Sequence, residues 1–139
     1  MTKQLQVTEQ EKIRREKLEE LKKLGINPYP AELFPVNSFS SELIKNFDDK
    51  KQVIIAGRIM SRRIQGNASF AEIQDSKGRI QIYFNRDEIC KSEDKTKYNI
   101  VYKKLLDIGD IIGIKGSMFK TKVGEVTVLV KDFTLLISL

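Results

Sequence analysis

The chain has 139 residues, of which 40% are hydrophobic, and a formal charge of +6 at pH 7. This size and composition suit one compact domain with an extension and exclude a wholly disordered chain. No apolar stretch is long enough to span a bilayer, and the first residues lack a signal-peptide pattern, so we expect a cytoplasmic protein that does not bind membranes. The single cysteine, Cys90, excludes an intrachain disulfide. Because the chain has no histidine, zinc sites and histidine-based catalysis are not expected, and we predict no metal site.

The net positive charge of the chain comes entirely from its C-terminal part. Residues 1–50 hold nine Lys/Arg and nine Asp/Glu, whereas residues 51–139 hold sixteen and ten. A basic globular part favours a polyanionic partner such as a nucleic acid, and a merely basic surface is the alternative. The composition changes at the same point as the pattern of apolar residues. We therefore expect a helix and linker in residues 1–50 and one folded domain in residues 51–139.

Leucines at helical spacing predict an amphipathic helix over about residues 8–24. Thr8 and Glu11 have the spacing of a capping box, and Gly25 supplies a stop. Charges of alternating sign along this helix indicate a face exposed to solvent. The alternative is that its basic side chains contact RNA phosphates. The side chains concerned are Lys12, Arg14, Arg15 and Lys22. A short helix from Ser40 to about Phe47 is expected in the linker.

From residue 52 the apolar residues alternate with a period of two. This pattern predicts five strands, at residues 53–60, 68–75, 79–84, 110–119 and 125–137, with a helix within residues 98–109. Gly57 indicates a bulge or bend in the first strand. The result is a mainly β fold, namely a five-stranded OB-fold Greek-key barrel with a helix between strands 3 and 4, preceded by the N-terminal amphipathic helix. A β-sandwich would need about seven strands.

The hairpin of strands 2 and 3 carries the clearest functional pattern. A turn at residues 76–78 pairs Phe70 with Tyr83, and it places Gln81 one diagonal step from Phe70. Phe70 then lies on the polar outer face of the hairpin, with Arg79 on the same face. An exposed ring beside an amide and an arginine suits stacking on an unpaired base. The alternatives are that Phe70 is a satellite core residue under a loop and that Gln81 is an ordinary solvated residue.

Two blocks of the sequence resemble a known family. They are RRIQGNASFAEIQDSKGRIQIYFNRDE and YKKLLDIGDIIGIKGSMFKTKVGEVTV, preceded by LGINPYP, and they resemble the N-terminal anticodon-binding domain of bacterial-type class II lysyl-tRNA synthetases. The resemblance implies an OB fold that grips the anticodon loop of lysine tRNA. It also implies a parent enzyme, an ATP- and Mg-dependent lysine–tRNA ligase that is a homodimer. The class II catalytic motifs are missing here, so we expect neither catalytic residues nor cofactors in this chain.

The resemblance also implies roles for individual residues. Phe70 corresponds to the ring that stacks on the central anticodon uridine, and Gln81 and Glu125 correspond to the polar groups that recognise that uridine. The expected contacts to the RNA backbone and second-tier contacts are Arg62, Arg63, Arg79 and Tyr83. Glu125 could instead simply end a turn, and the paired arginines could be surface charge.

The chemistry of these groups supports such roles. A carboxylate only accepts hydrogen bonds, so it suits N3–H of uracil and repels the N3 lone pair of cytosine. Two other functions stay open on sequence alone. One is a general single-strand-binding OB fold, and the other is a protein-interaction module that docks through the N-terminal helix.

Overall fold

The computed structural model describes residues 2–25 and 28–137. Five long strands dominate this part of the chain: β1 Val53–Gln65, β2 Ala68–Asp75, β3 Gly78–Asn85, β4 Ile111–Lys120 and β5 Val126–Ile137. The helices are α1 Thr2–Lys23, α2 Ser40–Lys45, α3 Arg86–Ile89 and a π-type helical segment, Lys97–Leu105. A two-residue strand, Tyr29–Pro30, runs parallel to the end of β5 and is followed by a 3-10 turn, Ala31–Leu33. Within the described ranges, no helix is long and apolar enough to cross a membrane.

The five strands close into a barrel. Strand β1 pairs antiparallel with both β2 and β4, and β2 pairs antiparallel with β3. The ring is completed by the parallel pair β3–β5 and the antiparallel pair β4–β5. This is the Greek-key order of an OB fold, whose binding surface is the outer face of strands 2 and 3 with the loops between strands 1–2 and 4–5. The predicted fold class is confirmed.

The bulge in strand β1 lies at a position other than Gly57. The register of β1 against β2 shifts between Ile59 and Ser61, so the bulge is at Met60 and the prediction of a bulge at Gly57 is wrong. Gly57 is needed for a different reason: a Cβ at this position would lie 2.8 Å from the carbonyl oxygen of Gln74. The bulge matters for function, because an extra residue reverses which side chains face outward along the rest of the strand.

The barrel interior is filled by the inward side chains of all five strands, mostly isoleucine and valine. The largest fully buried aliphatic side chains on the strands are Ile55, Ile59, Ile73, Ile80, Ile82, Ile112 and Ile114. A cluster of buried aromatic rings continues this core toward the helical segment. The ring of Tyr102 stacks on Phe84 at 3.9 Å and on Tyr98 at 5.5 Å between centroids. The helical segment is thereby fixed to β3, the central strand of the predicted site.

The helix α1 begins earlier than predicted. It starts at Thr2, so Thr8 lies inside the helix and the capping box at that residue is wrong. Residues 2–7 contain neither glycine nor proline and include good helix formers, so nothing ends the helix before Thr8. The C-terminal end agrees with the prediction, since the helix stops at Lys23 and Gly25 adopts φ +77°. The lead-in residues 26 and 27 and the C-terminal residues 138 and 139 lie outside the described part.

The C-terminal half of α1 packs on the barrel. Leu21 is fully buried and Leu24 packs against the same core, whereas Ile13 is 64% exposed. The Lys17 ammonium forms ion pairs with Asp107 and Asp110 in the segment that leads into β4. The apolar stripe is therefore used largely within the domain. Of the basic residues on α1, Lys12, Arg15 and Lys22 are exposed, and the side chain of Arg14 is outside the described part.

The region between β3 and β4 differs in detail from the predicted helix at residues 98–109. Helical residues run from Lys97 to Leu105. The segment ends with a π-type hydrogen bond between residues five apart, from the Leu106 N–H to the Val101 carbonyl at 2.9 Å. A short helix, α3, was not predicted. The side chain of Asn85 caps it by accepting hydrogen bonds from two backbone N–H groups of its first turn.

Buried Tyr102 connects this region to the start of β2. Its hydroxyl lies 2.7 Å from Ser69 Oγ, next to Phe70. Burial raises the pKa of Tyr102 to about 12. The neutral phenol is favoured in the folded state, so its stabilisation is complete below the unfolded pKa of about 10 and is lost as pH rises toward 12.

We therefore expect the free energy of unfolding of the wild type to fall between pH 10 and 12 by about 2 kcal/mol more than that of Tyr102→Phe. Urea denaturation of both proteins across this range measures the difference. Parallel pH profiles for the two proteins would show that Tyr102 does not carry this dependence.

Candidate nucleic-acid interface

The β2–β3 hairpin has the predicted register. Phe70 pairs with Tyr83, Glu72 with Gln81, and Gln74 with Arg79. The inward side chains of both strands, such as Ala71 and Ile82, are buried, whereas Phe70, Gln81 and Tyr83 are half-buried on the outer face. Strict alternation in two antiparallel strands, joined by a two-residue turn, leaves only this register compatible with a filled core. Phe70 is therefore a surface ring and not a core residue.

Three aromatic rings line up on this outer face. The Phe70 and Tyr83 rings lie 4.9 Å apart at 46°, and the Phe119 ring meets Tyr83 edge-on at 6.0 Å. Phe70 therefore packs on a neighbouring ring while part of its own surface stays exposed on the outer face. Phe119 was not among the predicted site residues. Alternation along β4 could have found it, because the neighbouring Met118 points into the core.

The loop between β4 and β5 places Glu125 at the edge of the same face. Gly124 adopts φ +86°, and its N–H donates to the Thr121 carbonyl at 2.9 Å. The N–H of Glu125 donates to Thr121 Oγ1 at 3.1 Å. The turn thus fixes the backbone of Glu125, while its exposed carboxylate faces solvent. Glu125 does end a turn, which was the alternative considered for it from the sequence. The same turn also places it at the predicted site.

The three predicted base-binding residues surround one open depression. Its volume is about 360 Å³, and its lining residues are Arg63, Phe70, Gln81, Thr121, Val123 and Glu125. A second depression of about 260 Å³ adjoins it on the side of β1 and shares Arg63, Phe70 and Gln81 with it. Val123, which is 91% exposed at the tip of the loop, is a further lining residue that sequence reasoning missed. The depression therefore combines an aromatic surface, an amide, a carboxylate and a guanidinium.

The two neighbouring arginines have different surroundings. Arg63 pairs with Phe70 across the strands and is exposed beside the depression. Arg62 pairs with inward-facing Ala71 because of the bulge at Met60. Its Nη1 donates to the Tyr102 carbonyl at 2.6 Å, and its guanidinium carbon lies 5.1 Å from the centre of the Tyr102 ring. Arg62 lines only the smaller depression, so Arg63 is the better placed cation.

The two second-tier residues also differ. Tyr83 directly supports the Phe70 ring. Arg79 lies near the hairpin turn, where it pairs with Glu72 at 3.2 Å and donates to Gln74 Oε1 at 3.1 Å. It lines neither depression. Among the residues with described positions, no group of three or more His, Cys, Asp or Glu side chains could hold a metal ion.

The family model of the OB-fold nucleic acid binding domain matches residues 53–136, and the chain belongs to this family. Among curated proteins, it is 69% identical over 131 residues to the lysine–tRNA ligase of Christiangramia forsetii, an alignment that covers 94% of this chain and 23% of that protein. It is 55% identical over 137 residues to the lysine–tRNA ligase of Porphyromonas gingivalis, covering 95% of this chain and 24% of the relative. The corresponding protein of Thermoanaerobacter pseudethanolicus is 48% identical over 127 residues, which cover 90% of this chain and 24% of the relative. The chain thus spans about a quarter of the length of these relatives.

Proposed function

We propose that this chain is the anticodon-binding domain of a lysine–tRNA ligase. It binds the anticodon loop of lysine tRNA on the outer face of β2 and β3 and on the β4–β5 loop. The observation that carries this function is the single depression that holds Phe70, Gln81 and Glu125 on an OB barrel. The similarity to lysine–tRNA ligases over nearly the whole chain supports the choice of tRNA.

Each group has a distinct role at the central uridine. The Phe70 ring stacks on the face of the base, which gives affinity without regard to sequence. The Glu125 carboxylate accepts the N3–H of uracil, and the Gln81 amide donates to a neighbouring carbonyl. Cytosine presents a lone pair at N3, which the carboxylate repels. Discrimination therefore comes from the two polar side chains, and the ring contributes binding energy.

The parent protein would be a larger enzyme. Its remaining part would bind ATP, Mg²⁺ and lysine and would attach lysine to the tRNA, in a homodimer located in the cytoplasm. The domain described here supplies tRNA recognition and no step of that chemistry. The docking alternative for α1 is less well supported, because Leu21 is buried and Leu24 packs on the barrel core.

A direct titration tests the proposed function. A fluorescent stem-loop with the lysine anticodon and an identical stem with an unrelated loop are titrated with the 139-residue chain. Tighter binding of the lysine anticodon is expected, since the polar pair discriminates between bases. Equal affinity for both loops would instead indicate a general single-strand-binding OB fold.

The position of Arg63 predicts a salt-dependent contribution to affinity. We expect Arg63→Gln to weaken binding of U-centred and C-centred stem-loops equally and to reduce the slope of log affinity against log salt by about 0.7–0.9, as for the loss of one phosphate contact. Titrations at several KCl concentrations measure this slope. Lys131→Gln is the control, because it removes one positive charge from an exposed position of β5 that lines neither depression. A change in Lys131→Gln as large as that in Arg63→Gln would contradict the assignment.

A further inference from the structure

A buried threonine hydroxyl connects the two polar residues of the site. Thr127, on β5, is fully buried and pairs with Gln81 across the parallel strands β3 and β5. Gln81 Nε2 lies 3.1 Å from Thr127 Oγ1. The same hydroxyl lies 3.1 Å from the carbonyl oxygen of Glu125. One side chain therefore contacts the Gln81 amide, which is proposed to read the base, and the backbone carbonyl of Glu125, whose carboxylate is the other proposed reading group.

The direction of these hydrogen bonds follows from the chemistry of the groups. A carbonyl oxygen can only accept, so the Thr127 hydroxyl must donate the hydrogen bond to the backbone carbonyl of Glu125. The hydroxyl oxygen then presents only lone pairs to Gln81. The Gln81 amide can meet those lone pairs only with its NH₂ group, because its carbonyl oxygen would be repelled. Thr127 therefore fixes the orientation of the Gln81 amide, with the NH₂ group toward Thr127.

The backbone of Glu125 is held by the same unit. Its N–H donates to Thr121 Oγ1, and its carbonyl accepts from the Thr121 N–H at 3.0 Å and from the Thr127 hydroxyl. The site thus presents, in this order, a donor, which is the second N–H of Gln81, and an acceptor, which is the exposed Glu125 carboxylate on an anchored backbone.

This order matches one pyrimidine and opposes the other. Uracil offers an acceptor at O4 next to a donor at N3, whereas cytosine offers a donor at N4 next to an acceptor at N3. Cytosine therefore meets two mismatches, namely its amino group against the Gln81 N–H and its N3 lone pair against the Glu125 carboxylate. A Gln81 amide that could turn freely would offer its oxygen to the amino group and would remove the first mismatch. Holding the amide in one orientation keeps both mismatches in place.

We propose that Thr127 is a positioning residue that sets the preference of this site for uridine over cytidine. It acts through Gln81 and Glu125 and does not itself touch the base. This inference rests on the proposed function, in which those two side chains read the central anticodon base.

The test compares binding of U-centred and C-centred anticodon stem-loops to wild type, Thr127→Val and Thr127→Ser. Valine has the shape of threonine without the hydroxyl, and serine keeps the hydroxyl. We expect the preference for U over C to fall by about three- to tenfold in Thr127→Val, the range for one lost hydrogen bond, and to be kept in Thr127→Ser. Thr127→Ala, which removes the hydroxyl with a smaller side chain, gives the same readout if valine does not fold.

Controls separate this inference from the function on which it rests. Thr134→Val makes the same substitution on β5 seven residues away, and it should leave the preference unchanged. An unchanged preference for U over C in both Thr127→Val and Thr127→Ala, together with a lost preference in Gln81→Ala, would overturn the role of Thr127. The proposed function would stand in that case. Equal affinity of the wild type for the two stem-loops would overturn the proposed function together with this inference.

Discussion

Replacement of Phe70 by alanine is expected to weaken binding of a U-centred lysine anticodon stem-loop by about 1–3 kcal/mol, or roughly 5- to 150-fold. The ring is half-buried on the outer face of β2, and Tyr83 holds it in place at 4.9 Å. It can therefore accept a base without losing much freedom of its own. Because every base has a π face, affinity for a C-centred stem-loop should fall by the same factor. Fluorescence anisotropy titrations with both RNAs measure the two losses.

The control for this variant is Tyr29→Ala, which removes an exposed aromatic ring beside the end of β5, outside the depression. It should bind RNA like the wild type. Thermal unfolding followed by circular dichroism establishes that each variant is folded. A folded Phe70→Ala protein with wild-type affinity would show that no base stacks on this ring.

Substitution of Glu125 is expected to change specificity more than affinity for RNA in general. In Glu125→Gln, binding of the U-centred stem-loop should weaken by about 1.5–3 kcal/mol, the range for a hydrogen bond to a charged group. Binding of the C-centred stem-loop should improve, because a glutamine N–H can donate to N3 of cytosine. Glu125→Ala should lose the U contact without this gain. Competition between the two RNAs measures the ratio directly.

Removal of a negative charge near RNA would by itself tighten binding of both stem-loops. Glu88→Gln, which removes the same charge from exposed α3, reports this general effect. Opposite changes for the U-centred and C-centred RNAs in Glu125→Gln, against equal changes in Glu88→Gln, identify a base contact. If the affinity changes of Glu125→Gln equal those of Glu88→Gln for both RNAs, Glu125 acts only as a surface charge.

The hairpin could be predicted from the sequence because its information is local. The alternation around Phe70 and Tyr83 and the turn before Gly78 leave one register that fills the core, and the structure has that register. The barrel followed from the number and spacing of the strands. The start of α1 was predicted wrongly, because Thr8 offers a possible cap at a position where the helix simply continues.

The rest of the site depends on contacts between residues distant in sequence. The bulge at Met60, which sends Arg62 toward Tyr102 and leaves Arg63 beside Phe70, has no glycine to mark it. Thr127 is an ordinary strand residue in the sequence. Its contact with Gln81, forty-six residues away, arises only because closure of the barrel pairs the two residues. Glu125 was predicted from the family resemblance, because it lies outside the hairpin and the alternation there cannot indicate it.

We propose that this surface reads uridine at the middle of a lysine anticodon. It is tested most directly by competition between two stem-loops that differ only in a central U or C, titrated against the wild-type chain at fixed salt. The Gln81 donor and the Glu125 acceptor on this surface predict tighter binding of the U-centred RNA by at least about tenfold, the effect of one good base-specific contact. Equal affinity for the two RNAs would show that this surface does not read the central base.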